Sequence, residues 1–177
     1  MAARSRLAAA DPLHVRRPGL LLGRVSPGFA GRIGTGTSLN WPTGVGAKGN
    51  AGMVAGLQQT NGSIAYVATS YLTANWPRVA FIQNQAGNWV APNYNSILNA
   101  AQSVSNLPGN GEIHIVNPGK KFKAAFPITT YTYVILRSGV PNVGLVKSFV
   151  EYALGGGQAF GPRLGFCRFP GSSRTPT

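Results

Sequence analysis

The sequence predicts an α/β fold, and three observations carry that prediction. Phe126–Leu136, FPITTYTYVIL, is dense in β-branched and aromatic residues and reads as a strand. Asn142–Ala153, NVGLVKSFVEYA, places Leu145, Phe149 and Tyr152 on one helical stripe. Shorter runs of both periods alternate between them and the N-terminal third of the chain.

Taken in order, residues 1–23 are rich in Ala, Arg, Pro and Leu and show no clean period, so an atypical segment without regular structure is expected there. Asn50 is placed to cap a helix over Ala51–Gln59, with Met53, Val54 and Leu57 on one face, and Thr60-Asn61-Gly62 ends it. Ser63–Thr69 alternates through Ile64 and Tyr66 as a strand does. Val79–Gln83 and Trp89–Val90 flank Gln85-Ala86-Gly87, the pattern of a hairpin. Tyr94–Val104 carries Ile97, Leu98 and Ala101 at helical spacing. Glu112–Val116, EIHIV, is short and strand-like. Residues 167–177, CRFPGSSRTPT, read as a disordered tail. No internal repeat is present.

Composition narrows the class. At 177 residues the chain is long enough for one ordinary domain, and 44% apolar residues with mean hydropathy near zero are globular. No apolar run approaches the roughly 20 residues that span a bilayer. The block Gly19-Leu20-Leu21-Leu22-Gly23 is shorter than the roughly 7–15 residues of a secretory apolar region, so no export signal is expected in the chain as written. Sixteen Lys and Arg face three acids, Asp11, Glu112 and Glu151, for a formal charge of +13. Six of the bases (Arg4, Arg6, Arg16, Arg17, Arg24 and Arg32) fall in the first 32 positions, and Arg163, Arg168 and Arg174 in the last fifteen. A single cysteine, Cys167, excludes an internal disulfide.

The motifs argue against chemistry. Gly44-Val45-Gly46-Ala47-Lys48-Gly49 matches G-x-G-x-x-G, but a Trp41-Pro42 loop precedes it and the next acid is as far away as Glu112. Lys48 is followed by Gly49 rather than Ser or Thr, so it is no Walker loop either. A tight loop leading into a helix start is the plainer reading, and such a start favours anions weakly. General acid–base work draws on His, Asp and Glu, and only His14, His114 and three scattered acids are available. His114 suits a packed or edge position in its strand, and Cys167 has no recognisable partner. No metal-ligand spacing occurs, so neither an enzyme nor a cofactor is expected. Lys120-Lys121-x-Lys123 is the one internal basic cluster; without interleaved aromatics it reads as a solvated face rather than a nucleic-acid surface.

One stretch is more specific. GTGTSLNWPTGVGAKGNAG, from Gly34, followed by QQTNGSIAYV, closely resembles the C-terminal half of PstS-type phosphate-binding proteins, the solute-binding components of phosphate ABC transporters. The likeness resumes at FPITTYTYVIL (Phe126–Leu136) and at VKSFVEYALGGGQAF (Val146–Phe160), and runs into Pro162-Arg163-Leu164-Gly165-Phe166. It covers about Arg24–Phe166. The resemblance implies a partial type II periplasmic-binding-protein fold: residues 24–118 as the second-lobe portion, and 119–166 as the segment returning to the first lobe. It implies inorganic phosphate as ligand, a membrane permease as partner and the periplasm or cell envelope as the family's location. A full-length member is about twice this length.

The departure from the family matters as much. The family's phosphate loop, Arg-Ser-Asp-Gly-Ser-Gly-Thr in form, should stand shortly before Arg24-Val25-Ser26-Pro27. AARSRLAAADPLHVRRPGLLLG stands there instead. No phosphate-contact residue of the family can therefore be carried onto this chain, and its ligand-binding residues remain unknown. Codons able to encode Asp11–Leu22 could, read one base later, encode Thr-Arg-Phe-Thr-Phe-Ala-Asp-Arg-Ala-Tyr, close to the family's helix start. Cys167-Arg168-Phe169-Pro170 is likewise what an offset could make of Val-Pro-Leu-Pro. The expectation is a truncated or frame-damaged phosphate-binding protein that binds phosphate weakly or not at all. Apolar edges such as Phe126–Leu136 should be left without partners. A second reading, from charge alone, is a small basic protein that binds anionic partners non-specifically.

Overall fold

The computed structural model describes residues 7–8, 12–36, 39, 41–72, 79–106, 108–109, 113, 115–137, 139 and 141–168, with side chains from Gly19 onward. Most of the tail expected over 167–177 therefore lies outside the described residues. The chain divides into two compact units, residues 1–78 and 79–177. Helix and strand are mixed in the chain, as the α/β reading expected.

In the first unit, β1 (Leu7–Ala8) pairs in parallel with β2 (Ile64–Ala65), Leu7 opposite Ile64 and Ala8 opposite Ala65. Three helices lie between them in sequence: α1 (Pro12–Val25), α2 (Pro27–Arg32) and α3 (Gly49–Gln59). Helix α1 corrects the expectation that residues 1–23 hold no regular structure. Pro18-Gly19 in its middle hides the helical period, because proline lacks the N–H a helix interior uses and glycine is a poor helix former. The glycines have a packing use. A Cβ at Gly23 would stand 2.5 Å from Thr35 Cγ2, and one at Gly19, a turn earlier, 2.8 Å from Leu39 Cδ1. The chain after α2 thus folds back onto a bare helix face. Ser26 caps α2, its Oγ accepting from the Phe29 N–H at 3.2 Å, with Pro27 at the first helical position. Helix α3 buries Met53, the inward residue of the expected face.

In the second unit, β3 (Ile82–Gln83) and β4 (Trp89–Val90) form the expected hairpin, antiparallel with Ile82 opposite Val90 and Gln83 opposite Trp89. Gly87 turns the corner at φ +85°, a conformation that favours glycine. Helix α4 (Tyr94–Ala101) starts in a capping box: Asn93 Oδ1 accepts from the Ser96 N–H, and Ser96 Oγ accepts from the Asn93 N–H, both at 3.0 Å. It ends three residues earlier than the sequence suggested. β5 (Ile115–Val116) and β6 (Ile128–Thr129) pair antiparallel. The small residues Ala100 and Ala101 bring α4 close to Ile113, Ile115 and Ala125, and this cluster is the unit's core, flanked by Val104, Phe122 and Tyr131.

Asn84 sits inside the hairpin turn, 6% exposed. Its Oδ1 accepts from the N–H groups of Ala86 (3.0 Å) and Asn88 (3.1 Å), and its Nδ2 donates to the carbonyls of Lys123 (2.9 Å) and Ala125 (3.1 Å). Asn88 Nδ2 donates to the Lys123 carbonyl as well, at 2.9 Å. The turn therefore holds the 117–125 loop by its backbone.

Two sequence expectations change here. The long strand over Phe126–Leu136 shortens to Ile128–Thr129. Tyr131 and Tyr133 spend their hydroxyls on the core, Tyr131 donating to the Ala101 carbonyl at 2.9 Å and Tyr133 accepting from the Ile113 N–H at 2.9 Å. Beyond them, among the described residues, no strand pairs with Val134–Leu136, and Ile135 is 91% exposed. A strand is defined by its ladder, so β-propensity without a partner yields none. Helix α5 (Val143–Leu154) forms as expected, but its stripe faces solvent: Leu145, Phe149 and Tyr152 are all exposed. A 3-10 helix, Gly156–Leu164, follows it.

Asn84→Ala should remove four hydrogen bonds and leave the Ala125 carbonyl unpaired in the core. At a net ~1 kcal/mol each, with a further cost of about 1 kcal/mol for a stranded buried group, the expected loss is about 5 kcal/mol in urea unfolding of the second unit. Burial, and then the neighbouring Tyr133 phenol, push the Tyr131 phenol above its ordinary value. A raised phenol pKa contributes stability that is intact below about pH 10 and is lost as pH rises beyond it. Unfolding midpoints measured from pH 8 to 11 should fall at the alkaline end. Tyr131→Phe should flatten that fall while lowering neutral-pH stability by about 1 kcal/mol.

Candidate functional site

The motif that stood out in the sequence lies in the first unit. Trp41 rests against Phe29 of α2, ring centroids 5.8 Å apart and tilted by 56°. Beside this pair is an open cleft of about 480 Å³, lined among the described residues by Ser26, Phe29, Arg32, Ile33, Trp41 and Thr43 with little else. Its walls are mostly apolar, and Arg32 is the one charged residue on them. The Trp41 Nε1–H is buried without a hydrogen-bond partner among the described residues.

From the cleft the chain runs through the glycine loop into α3. Gly44 has φ +135° and Gly49 φ +64°, so two of the three motif glycines hold backbones that other residues avoid. Among the described residues no strand enters the loop, which separates it from a dinucleotide-binding turn. Lys48, not Asn50, takes the N-cap position of α3, and its side chain makes no cap bond. Asn50 lies one residue inside the helix and is used otherwise. Its Oδ1 accepts from the Ala68 N–H at 2.9 Å, tying the start of α3 to the chain beyond β2. The shared asparagine chemistry of capping and of bridging explains why the sequence alone pointed to the cap.

Among the described residues the titratable side chains do not converge. Asp11, Glu112 and His114 lie outside the described residues, as does the side chain of His14 on α1. Glu151 stands exposed on α5, 3.7 Å from Lys147 at i,i+4, a pair worth little in water. Cys167 donates its thiol hydrogen to the Tyr94 carbonyl at 3.1 Å. Burial pushes that thiol up, and a backbone hydrogen bond at Leu98 offsets part of the rise, so the thiolate is disfavoured. Among the described residues no three His, Cys, Asp or Glu side chains gather as metal ligands. No helix of the described residues is long and apolar enough to cross a membrane.

The basic cluster is better ordered than its sequence suggested. Lys120, Lys121 and Lys123 are exposed on the loop that Asn84 and Asn88 hold, and Lys121 Nζ lies 5.0 Å above the Phe122 ring. Gln85, with its amide turned to suit both groups, donates to the carbonyls of Asn117 and Pro118. Sequence reasoning missed Asn84, which opens the turn Asn84-Gln85-Ala86-Gly87-Asn88; the available signal was an asparagine at each end of a glycine turn.

No protein-family model matches the chain. Curated relatives do. The phosphate-binding protein PstS of Xylella fastidiosa (strain 9a5c) is 34% identical over 131 residues, 74% of this chain and 36% of that protein. The phosphate-binding protein PstS of Haemophilus influenzae is 30% identical over 154 residues, 84% of this chain and 45% of that protein. The protein of the same name from Methanocaldococcus jannaschii is 29% identical over 154 residues, 77% of this chain and 40% of its own length. The chain thus spans less than half the length of these relatives. By sequence it belongs with the PstS-type phosphate-binding proteins, over that part of their length.

Proposed function

We propose that the chain derives from the phosphate-binding component of an ABC-type phosphate import system, in a form that lacks most of the ligand site. The observation that carries this reading is the 34% identity over 131 residues to a phosphate-binding protein, with the W-P-T-G-x-G-x-K-G-N string among the residues that carry the resemblance. The finer architecture belongs to the same proposal: a partial type II periplasmic-binding-protein fold, with 24–118 from the second lobe, 119–166 returning to the first, and atypical ends at 1–23 and 167–177. Inorganic phosphate, a membrane permease and an envelope location come with it, and no catalysis is involved.

The geometry favours a depleted site. Selective phosphate recognition needs several charge-assisted donors converging in a space that excludes water. The cleft at Trp41 is open, mostly apolar and lined by one guanidinium. Non-specific polyanion binding through net charge has no feature of the fold in its favour beyond the charge itself.

Isothermal titration of the chain with phosphate, against sulfate at a fixed salt of about 150 mM, tests the proposal. The expected outcome is no heat beyond the sulfate control. Saturable, phosphate-selective binding would show a retained site and would remove the claim of loss. Sequencing the gene tests the account of the two ends: a one-base offset should restore family-like residues before Arg24 and after Phe166, and their absence from every frame would end it.

A further inference from the structure

We propose that the outer face of the β3–β4 hairpin and the lysine loop beside it form a platform for single-stranded nucleic acid, bound without regard to base sequence. The platform is separate from the phosphate reading above, and neither depends on the other.

Within the cluster of Lys120, Lys121 and Lys123 the one aromatic, Phe122, packs against the core. The free rings come from the hairpin. Side chains alternate along a strand, and here Asn84 is buried while Ile82 and Val90 are half-buried. Phe81, Gln83 and Trp89 therefore share the opposite face, where Phe81 is 61% and Trp89 67% exposed. Trp89 stands opposite Gln83 in the ladder, so Phe81, two residues before Gln83, is its diagonal neighbour. Diagonal side chains on one sheet face lie about 7–8 Å apart. Two neighbouring bases of an unstacked strand can each lie on one of these rings, and every base has the π-face that such stacking uses. Gln83 already donates its amide to the Gly87 carbonyl at 3.1 Å, which leaves it little with which to read a base edge.

The turn that joins the two strands also holds the lysines. Asn88, the residue before Trp89, donates to the Lys123 carbonyl at 2.9 Å, and Asn84 donates to the same oxygen. Gln85 reaches the carbonyls of Asn117 and Pro118 at the head of the loop. The loop is closed on itself by the Phe122 N–H, which donates to the Gly119 carbonyl at 2.9 Å. Three exposed cations thus stand on an ordered loop beside the two rings. Neither the hairpin, residues 79–91, nor the loop, residues 117–125, contains an acid that would repel a phosphate backbone. The cations call for a polyanion, and the rings favour one that carries bases. An anionic bilayer also suits Trp, Phe and Lys, but the tip of the hairpin is polar, with Gln85 and Asn88 exposed, and opposes insertion.

The full chain is titrated with a labelled oligodeoxythymidylate of about 12 nucleotides, within the site sizes of single-strand binders. Binding is read by fluorescence anisotropy from about 50 to 200 mM salt. Replacing Lys120, Lys121 and Lys123 together by Gln should flatten the slope of log affinity against log salt by about 2. Trp89→Leu keeps apolar bulk but removes the aromatic face; it should weaken binding about tenfold at unchanged slope, and Trp89→Phe should restore most of the loss. Arg163→Gln, on the 3-10 helix, should change neither quantity. All these side chains are exposed, so the urea midpoint should stay in place. Binding that falls with the lysines yet ignores Trp89→Leu would be the chain's diffuse field alone and would overturn the platform. So would a duplex of the same length bound as tightly as the single strand, or phosphatidylglycerol vesicles preferred to the oligonucleotide at equal salt.

Discussion

The second unit depends on one buried amide. Asn84 has all four hydrogen-bond capacities of its side chain in use, two inside its own turn and two on the loop from Lys123 to Ala125, 39 and 41 residues away. The strands of this unit are two residues long, so their ladders contribute few bonds. The apolar cluster is made largely of small residues, with Ala100, Ala101 and Ala125 among its five buried members. Such a core buries little area per residue, and hydrophobic stabilisation scales with that area. A long-range polar clasp therefore does what wider ladders and larger side chains do elsewhere. It also fixes where Phe126 falls, whose N–H donates to the Ser96 carbonyl at 3.0 Å and closes the loop onto α4.

The clasp explains the order up to Thr129 and also where that order stops. Tyr131 and Tyr133 fasten the chain through their hydroxyls to Ala101 and Ile113, and after them no further partner is at hand among the described residues. The residues that follow have strong strand character and the helix beyond has a clean apolar stripe, yet both face solvent. Local sequence and tertiary surroundings thus disagree in one contiguous region. Natural sequences are in general consistent across these levels, so a disagreement of this kind points to a missing neighbour rather than to a weak segment.

Much of the local structure was legible for physical reasons that can be named. The hairpin was signalled by a glycine turn between short β-rich runs, and α3, α4 and α5 by their period. What was not legible depended on contacts rather than propensity. Helix α1 forms across Pro18-Gly19 against the sequence signal, and what its glycines offer is access, letting Thr35 and Leu39 approach. The strand at Phe126–Leu136 was overlong because propensity does not report whether a partner exists. At the candidate site, Gly44–Gly49 was read as a tight loop leading into a helix start, and Gly44 and Gly49 fit that with positive φ. The use of Asn50 as a bridge to Ala68 could not be read, since nothing in the sequence tells which of two nearby N–H groups a carboxamide will choose.

Charge is the most conspicuous property of the chain and the least able to give it specificity. In water two unit charges 4 Å apart attract by about 1 kcal/mol, and at physiological salt the attraction fades over about 8 Å. Cations that do not share a dry pocket therefore produce a diffuse field rather than a site. Arg32 lines an open cleft, Lys48 stands on the loop outside that lining, and Lys120, Lys121 and Lys123 point into solvent from a loop of the other unit. Such a field attracts phosphate and sulfate alike. Selecting one from the other requires donors and acceptors held in fixed positions around the anion, where a proton on the ligand can be told from its absence. An acceptor of that kind must be a buried carboxylate or carbonyl, and the chain has three acids, of which Glu151 is spent on an exposed pair with Lys147. Such convergence is a demand on geometry that further positive charge cannot meet.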